Sequence, residues 1–600
     1  MPKPYIIREV ANSHCGNFNK CLNLIEKFKY KDKTKLGTKF QIISPEKISL
    51  KDYKWHKIYK KLYFSKNNWK KIIQKAKKIG DVWLDIFDVY GVEIFKENLS
   101  SIYGIKLQSS VIFNTEVLQS LNKVNFKKKI ILINVSGLKI TEIKSIVDKI
   151  RTFSSCEIVI QTGFQSYPTN RRNIHLNKIQ KLKKYFNKYS FSFADHLNPG
   201  DKLFLELPSY AYSIGYKYVE KHICLNRKKT KYDFHSALEP EEFFMMMKRI
   251  ESKNKFSKEA LKYYFRQDFI SREEKKYIDD TIQLPVINHK IDKEKLISAT
   301  DLYYRRTAQK GLSENEIKKK QSNFFILKKV LKKNSTIQHK DFRKLRVGAI
   351  VACRLKSWRL KNKALALINK KPAVKRCLES CLKIKKANAV ILATSYLQED
   401  RQLIKFNLKG RIKVFTGHPD DVISRYIKAC NKFKIDVVMR LTGDCPYISN
   451  QIIEYMLKKH LESGSDYTRA MNAAPGTTGE IYNLSTLVYI KKKALNTNLS
   501  EYMTWYVLNN KEHFKVNDVY LPSHLVRNYR LTLDYKEDLM MFNILYKKLS
   551  EKGLNINLQN IFKVLDKNKK ISKINIKKKL IFKTNKKLIN YLNKKTKFHE

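Results

Sequence analysis

The chain has 600 residues, 43% of them hydrophobic, and a formal net charge of +67. This hydrophobic content is enough for more than one core, and the length suggests about three to four domains. No run approaches the roughly 18 uninterrupted apolar residues of a membrane span, which argues against a helical membrane protein. Only 22 of the 122 basic residues are Arg, whereas phosphate-recognition surfaces usually enrich Arg, so the charge does not by itself indicate nucleic-acid binding.

The first 250 residues alternate apolar strands with amphipathic helices. This rhythm predicts an α/β fold, an N-terminal (β/α)8 TIM barrel over residues 1–285. The clearest predicted strands are Tyr5–Val10, Ile130–Val135 and Glu157–Thr162, and the clearest helices are Asn19–Phe28, Glu142–Thr152 and Leu176–Phe186.

Two histidines close neighbouring apolar runs. His196 follows residues 190–195 and His222 follows residues 216–221, and a helix predicted over 202–214, ended by Gly215, separates the two runs. Both histidines are therefore expected at the same end of adjacent parallel strands, the end that carries the chemistry in such barrels. Two imidazoles there can hold a divalent metal and leave coordination positions open. The alternative is that each histidine only caps its strand with a hydrogen bond.

The residues around these histidines resemble the sialic acid synthase family, which joins phosphoenolpyruvate to an amino-sugar aldehyde. The resemblance extends from Glu9 to Phe243. The matching runs, in chain order, are 9–16, 39–41, 106–110, 194–197, 220–226 and 232–243.

The resemblance implies a role for each matched polar residue. Lys39 and Lys106, with Ser109, would bind the phosphate and carboxylate of phosphoenolpyruvate. His196 and His222 would hold Mn²⁺ or Mg²⁺. Glu9 would complete the water shell of the metal or handle protons, and Asp233 would bind sugar hydroxyls. The competing interpretation is solvated surface for the lysines and an ordinary strand-end carboxylate for Glu9.

Several positions depart from the family pattern, and three of them bear most directly on the substrates. Ala194 replaces a serine before the Asp-His pair, Val111 stands where sialic acid synthases carry a sugar-binding Glu, and Phe234 occupies a usual His position. The metal pair, both lysines and Asp233 are kept, so the reaction is better specified than the sugar.

Residues 286–345 are charged and less regular, and we expect a linker there. Within it, the run that starts at Phe325 resembles the antifreeze-like domain that follows this barrel, in truncated form. In the family that domain supplies an arginine to the sugar pocket of a neighbouring subunit, which implies a possible homodimer.

A second resemblance begins after the apolar strand Val347–Val351. Residues 351–363 resemble the signature of nucleotide-sugar cytidylyltransferases, and residues 421–426, 440–446 and 529–534 are similar to the spore-coat-polysaccharide type. A loop of this kind after a strand is typical of a doubly wound α/β sheet. We therefore predict a C-terminal doubly wound α/β nucleotidyltransferase domain over residues 346–600.

This resemblance implies CTP as substrate and Mg²⁺ as cofactor. Arg354, Ser357, Arg359 and Lys363 are spaced to wrap a triphosphate, and transfer of this kind depends on positioning and charge neutralisation. Asp444, which follows a strand, and Asp534, predicted on a second strand, resemble the aspartates that carry Mg²⁺. The alternative for Asp444 is a plain turn residue.

The two resemblances imply consecutive reactions. A synthase for a nonulosonic acid makes the substrate that a cytidylyltransferase activates, so the sequence predicts a bifunctional enzyme that uses phosphoenolpyruvate, an N-acetylated amino sugar and CTP for surface glycan biosynthesis. One alternative keeps only the synthase active, with the second module acting on another sugar or in assembly. The other is a basic RNA- or membrane-binding protein on inactive enzyme folds.

Cysteine usage and the first residues bear on the compartment. Nine cysteines occur without a C-x-x-C pair or a regular framework, a pattern typical of a reducing compartment. The opening Met1-Pro2-Lys3-Pro4-Tyr5 has no apolar signal segment. We therefore expect a cytoplasmic protein.

Overall fold

The computed structural model describes residues 4–30, 34–153, 156–163, 168–169, 171–252, 269–293, 295–357, 359–578, 580 and 584–598. The chain forms two compact units. The first comprises Met1–Lys290, Thr300–Glu314 and Leu331–His339, and the second comprises Ile291–Ala299, Asn315–Val330 and Lys340–Glu600. The stretch 286–345 therefore contributes residues to both units.

The first unit contains a closed barrel of parallel strands in which each strand pairs with the next and the first pairs with the last. The predicted (β/α)8 barrel is confirmed. Its strands are β1 (Tyr5–Glu9), β2 (Lys35–Ile42), β3 (Asp81–Ile86), β4 (Gly104–Leu107), β5 (Lys129–Asn134), β6 (Cys156–Thr162), β7 (Ser190–Asp195) and β8 (Tyr218–His222).

Helices follow the strands around the barrel. The helix predicted over 202–214 begins only at Leu207, because Pro208 lies in its first turn and lacks the N–H that a longer helix would need there. The helices are α1 (Phe18–Lys27), α2 (Pro45–Ile48), α3 (His56–Leu62), α4 (Lys66–Lys77), α5 (Val89–Glu97), α6 (Thr115–Leu121), α7 (Ile140–Ile150), α8 (Lys178–Lys183), α9 (Leu207–Ser213), α10 (Pro240–Glu251) and α11 (Arg272–Thr281).

The barrel interior is filled in two layers of different chemistry. Tyr5, Trp83 and Tyr218 pack together in the lower layer, where the Trp83 indole N–H donates to the Tyr5 hydroxyl at 3.0 Å. Because side chains alternate between the faces of a strand, the residue two positions further along also points inward. Asp85 follows Trp83 in this way and Glu220 follows Tyr218, so a charged layer lies above the aromatic one.

A short antiparallel pair follows the barrel within the first unit. It consists of β9 (Leu284–Ile287) and β10 (Leu302–Arg305). The next residue, Arg306, continues from β10 and forms backbone hydrogen bonds with Ile48 and Leu50 near the mouth of the barrel.

The second unit is built on a seven-stranded sheet with order β17-β16-β13-β18-β20-β19-β21. Its first four strands are parallel, whereas β20 runs antiparallel to both of its neighbours. The strands of this unit are β11 (Phe325–Leu327), β12 (Phe342–Lys344), β13 (Val347–Ala352), β14 (Leu367–Ile368), β15 (Lys371–Pro372), β16 (Ala389–Ser395), β17 (Lys413–Gly417), β18 (Val437–Thr442), β19 (Tyr467–Ala470), β20 (Glu480–Asn483) and β21 (Val516–Val519).

Apolar cores cover both faces of this sheet, as a doubly wound fold requires. The helices are α12 (Glu314–Ser322, whose first residue belongs to the first unit), α13 (Ala373–Cys381), α14 (Val422–Phe433), α15 (Asn450–Ser463), α16 (Leu484–Lys493), α17 (Met503–Leu508), α18 (Lys536–Glu551), α19 (Leu558–Lys567), α20 (Lys569–Lys573) and α21 (Lys586–Lys595).

The strand predicted to carry Asp534 is not part of the sheet. Residues 529–534 run without regular secondary structure up to the start of α18. Single backbone hydrogen bonds, from Leu531 to Pro475 and from Leu533 to Asp444, replace a ladder. The apolar alternation suggested a strand, but it serves to pack the segment on the core.

Within the described residues, every helix is too short or too polar to cross a lipid bilayer.

Candidate active sites

The two predicted histidines lie side by side at the carboxyl ends of neighbouring strands. His222 is the last residue of β8, and His196 directly follows β7, whose residue Asp195 pairs with Lys221. Their ring centroids are 5.1 Å apart, and both side chains are buried. One ligand atom from each, together with one from Glu220, all lie within 4.8 Å of one another.

This donor set fits a divalent cation. Burial and the neighbouring His196 hold the pKa of His222 well below its ordinary value, so the imidazole is in the neutral form that coordinates metals. Glu220 is the weaker third candidate because two lysines already neutralise its carboxylate. Two imidazoles are fewer ligands than the four of a closed structural site, which favours a catalytic site.

A buried layer of five charged side chains lies in the barrel below this mouth. Lys39 Nζ lies 2.5 Å from Glu9, 2.6 Å from Glu220 and 3.6 Å from Asp85. Lys106 Nζ lies 2.8 Å from the other oxygen of Glu220 and 3.8 Å from Asp85. All five are at most 1% exposed. The two predicted lysines are therefore interior residues held by carboxylates, not surface lysines.

The electrostatics of this layer shift the pKa values of its carboxyl groups in opposite directions. Burial alone would raise the pKa of Glu220, but the attraction of Lys106 and Lys39 outweighs it and holds that pKa well below the usual range. Burial raises the pKa of Glu9 to about 8 in spite of the adjacent Lys39. Burial raises the pKa of Asp85 as well, so among these three carboxyl groups only Glu220 has its pKa held below the usual range by the lysines.

Amide and hydroxyl side chains complete the layer. Gln161 donates to Glu220 at 2.8 Å and to Ser192 at 3.2 Å, and Gln108 donates to Asp85 at 2.8 Å. Ser109, predicted to contact phosphoenolpyruvate, is fully buried, and its hydroxyl has no hydrogen-bond partner among the described residues. A buried hydroxyl of this kind is available to a ligand oxygen.

Arg306 brings a further cation to the mouth of the same barrel. Its guanidinium donates to the Tyr59 hydroxyl at 2.7 Å and to the Ser110 hydroxyl at 3.3 Å, and it is 4% exposed. No carboxylate of the described chain forms an ion pair with it. This buried guanidinium contacts Ser110, the residue that follows Ser109. A buried guanidinium without a counter-ion is suited to an anionic or strongly polar ligand.

Asp233 lies in the loop after β8 with a left-handed backbone, φ +52°. It accepts hydrogen bonds from Asn12, in the loop after β1. Burial raises the pKa of Asp233, and the bonds from Asn12 partly oppose this.

In the second unit, the two predicted metal aspartates converge on one ammonium group. Lys363 Nζ lies 2.6 Å from Asp444 and 3.0 Å from Asp534, and Arg359 lies 2.7 Å from Asp534. Burial alone would raise the pKa of Asp444, but Lys363 lowers it to about 2. Carboxylates from two separate segments that approach a single cation fit a shared Mg²⁺.

Asp534 is fixed by Arg530, which lies in the matched run 529–534 but was given no role, and by Asp538, which lies outside that run. Arg530 donates to its second oxygen at 2.8 Å, and Asp538 holds Arg530 at 2.9 Å. Asp538 also accepts the backbone N–H of Asp534 and of Tyr535. The start of α18 is thereby tied to the aspartate in front of it.

Arg354 is not placed with this group. Its guanidinium pairs with Asp420 at 2.8 Å and with Glu501 at 2.9 Å. Ser357 is part-exposed in the same loop, and position 358 lies outside the described residues. The structure therefore brings together four of the six predicted residues of this site: Arg359, Lys363, Asp444 and Asp534.

Comparisons with known proteins match each unit to a different family. Residues 27–262 match the NeuB family, and residues 348–588 match the cytidylyltransferase family. The spore coat polysaccharide biosynthesis protein SpsF of Bacillus subtilis is 30% identical over 225 residues, which are 36% of this chain and 93% of that protein. The N,N'-diacetyllegionaminic acid synthase of Campylobacter jejuni is 26% identical over 327 residues, which are 52% of this chain and 93% of that protein.

One solved structure, the spore coat polysaccharide biosynthesis protein spsE of Bacillus subtilis, is 18% identical, with 56% of this chain and 95% of that chain covered and a TM-score of 0.47. The chain thus carries a NeuB family domain over residues 27–262 and, through its second unit, belongs to the cytidylyltransferase family.

Proposed function

We propose that the first unit condenses phosphoenolpyruvate with an N-acetylated amino sugar to form a nonulosonic acid. The observation that carries this is the buried layer of Glu9, Lys39, Asp85, Lys106 and Glu220 directly below the histidine pair. Burying five ionisable groups together is costly, and such clusters concentrate at functional sites. Legionaminic acid synthesis by one relative supports the same reaction class.

In the proposed reaction, C3 of phosphoenolpyruvate forms a bond to the aldehyde carbon, water adds to C2, and phosphate leaves. Lys39 and Lys106 hold the phosphate and carboxylate, and the Ser109 hydroxyl donates to one of their oxygens. Glu9, whose pKa burial raises, donates a proton to the aldehyde oxygen and regains one from the water that adds to C2. Mn²⁺ or Mg²⁺ held by His196 and His222 would polarise the aldehyde.

The second unit is proposed to transfer CMP from CTP to the sugar acid. Arg359 and Lys363 neutralise the triphosphate, and Asp444 and Asp534 would hold Mg²⁺. Arg354 reaches the nucleotide only if it exchanges Asp420 or Glu501 for a phosphate. The hydroxyl of the sugar acid attacks the α-phosphorus, and pyrophosphate leaves.

Two separate release assays test the proposal. Phosphate should appear only when phosphoenolpyruvate, an N-acetylated amino sugar and Mn²⁺ are all present. Pyrophosphate should appear only with CTP, Mg²⁺ and a 2-keto sugar acid. Absence of phosphate release across a panel of amino sugars would contradict the synthase, and pyrophosphate release with another nucleotide in preference to CTP would contradict the cytidylyl step.

The competing assignment to a nucleic-acid-binding protein makes a different prediction. It requires retention on RNA that weakens steeply with salt, and variants of the buried layer should leave that retention unchanged.

A further inference from the structure

Asn12, in the loop after β1, connects three segments at the barrel mouth. Its backbone N–H donates to Asp233 Oδ2 at 3.1 Å, and its side-chain amide donates to the same oxygen at 2.7 Å. The same amide also donates to Gln41 Oε1, near the end of β2, at 3.2 Å. One asparagine thus links the first loop, the second strand and the loop after β8.

The backbone around these contacts adopts uncommon conformations. Asp233 has φ +52°, and Ala11, directly before Asn12, has φ +44°. Residues with a Cβ are disfavoured in this region and persist there when their surroundings hold them, often at functional sites. The double hydrogen bond from Asn12 is the contact that holds Asp233 in place.

We propose that Asn12 is a positioning residue that sets Asp233 and Gln41 as a matched acceptor and donor for a hydroxyl of the amino sugar. This inference rests on the proposed synthase function. Both bonds from Asn12 fall on Oδ2 of Asp233, which leaves Oδ1 to accept from a ligand. Gln41 meets Asn12 with its carbonyl oxygen, which leaves its NH₂ group to donate. A sugar hydroxyl donates and accepts at once, and an acceptor and a donor at fixed separation match it.

The test compares Asn12→Ala with Asn12→Asp in the full chain. Asn12→Ala removes both side-chain bonds, so the KM for the amino sugar should rise roughly 10-fold or more, the loss typical of a hydrogen bond to a charged group. The KM for phosphoenolpyruvate should stay within about 2-fold, because the residues proposed to bind it do not contact Asn12.

Asn12→Asp keeps the shape but replaces the donor by a carboxylate that faces Asp233. Its sugar KM, divided by the wild-type KM at the same pH, should be worse than that of Asn12→Ala near pH 8 and should improve towards about pH 6, because one shared proton restores the hydrogen bond. A merely structural role of Asn12 would not produce this pH dependence.

Asn17→Ala is the matched control from the same loop. Asn17 is exposed and caps α1 by accepting from the backbone N–H of Lys20 at 2.8 Å. Its loss should lower the thermal stability and leave both KM values unchanged. Mn²⁺ binding, followed by electron paramagnetic resonance without substrates, should be equal in all variants and shows that the barrel is folded.

Three results would overturn the inference. An unchanged sugar KM in Asn12→Ala, or equal rises in the KM for both substrates, contradicts the positioning role while the synthase stands. If the wild-type protein forms no product with any amino sugar, the proposed function fails and the inference fails with it.

Discussion

Glu220 connects the two lysines of the charged layer. It pairs with Lys39 and Lys106 through different oxygens and accepts a further bond from Gln161. Its carboxylate thereby sets the separation of the two ammonium groups that would receive the phosphate and carboxylate of phosphoenolpyruvate.

Replacement of Glu220 by Gln should damage both stability and activity. It leaves two buried lysines short of a counter-charge, and breaking a buried ion pair from one side typically costs ~3–5 kcal/mol. We expect a clear fall in the melting temperature of the first unit and a loss of ~10²-fold or more in synthase kcat/KM.

Glu157→Gln is the matched control, since Glu157 pairs with Lys217 at 3.0 Å on the barrel surface with side chains 44% and 40% exposed. An exposed pair contributes little, so this variant should behave as wild type. Equal losses in both variants would mean that only the total charge matters.

The histidine pair makes a second prediction. His196→Ala or His222→Ala should abolish phosphate release, because each removes one of two proposed metal ligands. Pyrophosphate release by the second unit should persist, since it depends on other residues. Full synthase turnover by the double variant in chelator-treated buffer would contradict the metal assignment.

From the sequence we singled out the candidate site residues at the strand ends, but not the residues that hold them in place. The histidines and lysines were proposed because they stand at predicted strand ends within family motifs, and the structure places the histidines side by side and the lysines in one buried layer. Asp85 and Glu220 were missed, although Glu220 lies two positions before His222 and therefore on the same face of β8. That period of two was the available signal. Asn12 and Arg306 gave none, because their roles depend on long-range packing that no local pattern encodes.

At the scale of elements, the segment after the barrel contributes to the site of its own chain. Arg306 reaches Ser110 and Tyr59, and Arg305 forms an ion pair with Glu116 at 3.2 Å. The sequence placed the antifreeze-like segment at Phe325, after this arginine. The short β9 and β10, with four residues each, carry too few alternating positions to be recognised beforehand.

A co-expression experiment tests whether Arg306 serves the barrel of its own chain or the barrel of a partner subunit. We expect Arg306→Ala to lower synthase kcat/KM by ~10-fold or more, and we expect its co-expression with His196→Ala to restore nothing. If the segment served a neighbouring subunit, random pairing would return about one quarter of the wild-type sites. Recovery at that level would contradict the intrachain arrangement.

The second unit depends on two elements that meet at Lys363. The loop after β18 brings Asp444, and the segment before α18 brings Asp534. The sequence pointed to both aspartates but predicted a strand for the second segment. An extended segment that packs on a core has the same alternation of apolar and polar residues as a paired strand.

Asp444→Asn should weaken cytidylyl transfer by ~10²-fold or more with little effect on folding, since it removes charge at nearly constant shape. Pyrophosphate release and thermal melting measure the two effects. Glu551→Gln is the control in the same unit, because Glu551 is exposed and pairs with Lys547 on its own helix at 3.9 Å. Unchanged transfer in Asp444→Asn would leave this residue as a turn residue only.

At the scale of the molecule, the large positive charge and the two reactions are compatible. Lysines dominate the basic residues, and both proposed reactions use anionic substrates that a positive field attracts. The chemistry also runs in one direction, because the first unit would produce the carboxylate-bearing keto sugar that the second unit requires.

The central claim is that one chain makes and activates the same sugar acid. The most direct measurement supplies ¹³C-labelled phosphoenolpyruvate, an N-acetylated amino sugar, CTP, Mn²⁺ and Mg²⁺ to the purified chain, with no sugar acid added, and follows the products by mass spectrometry. With all three carbons of phosphoenolpyruvate labelled, we expect three labelled carbons in a CMP-linked sugar acid, formed together with phosphate and pyrophosphate. Labelled sugar acid that accumulates without any CMP-linked product, while CTP stays intact, would contradict it.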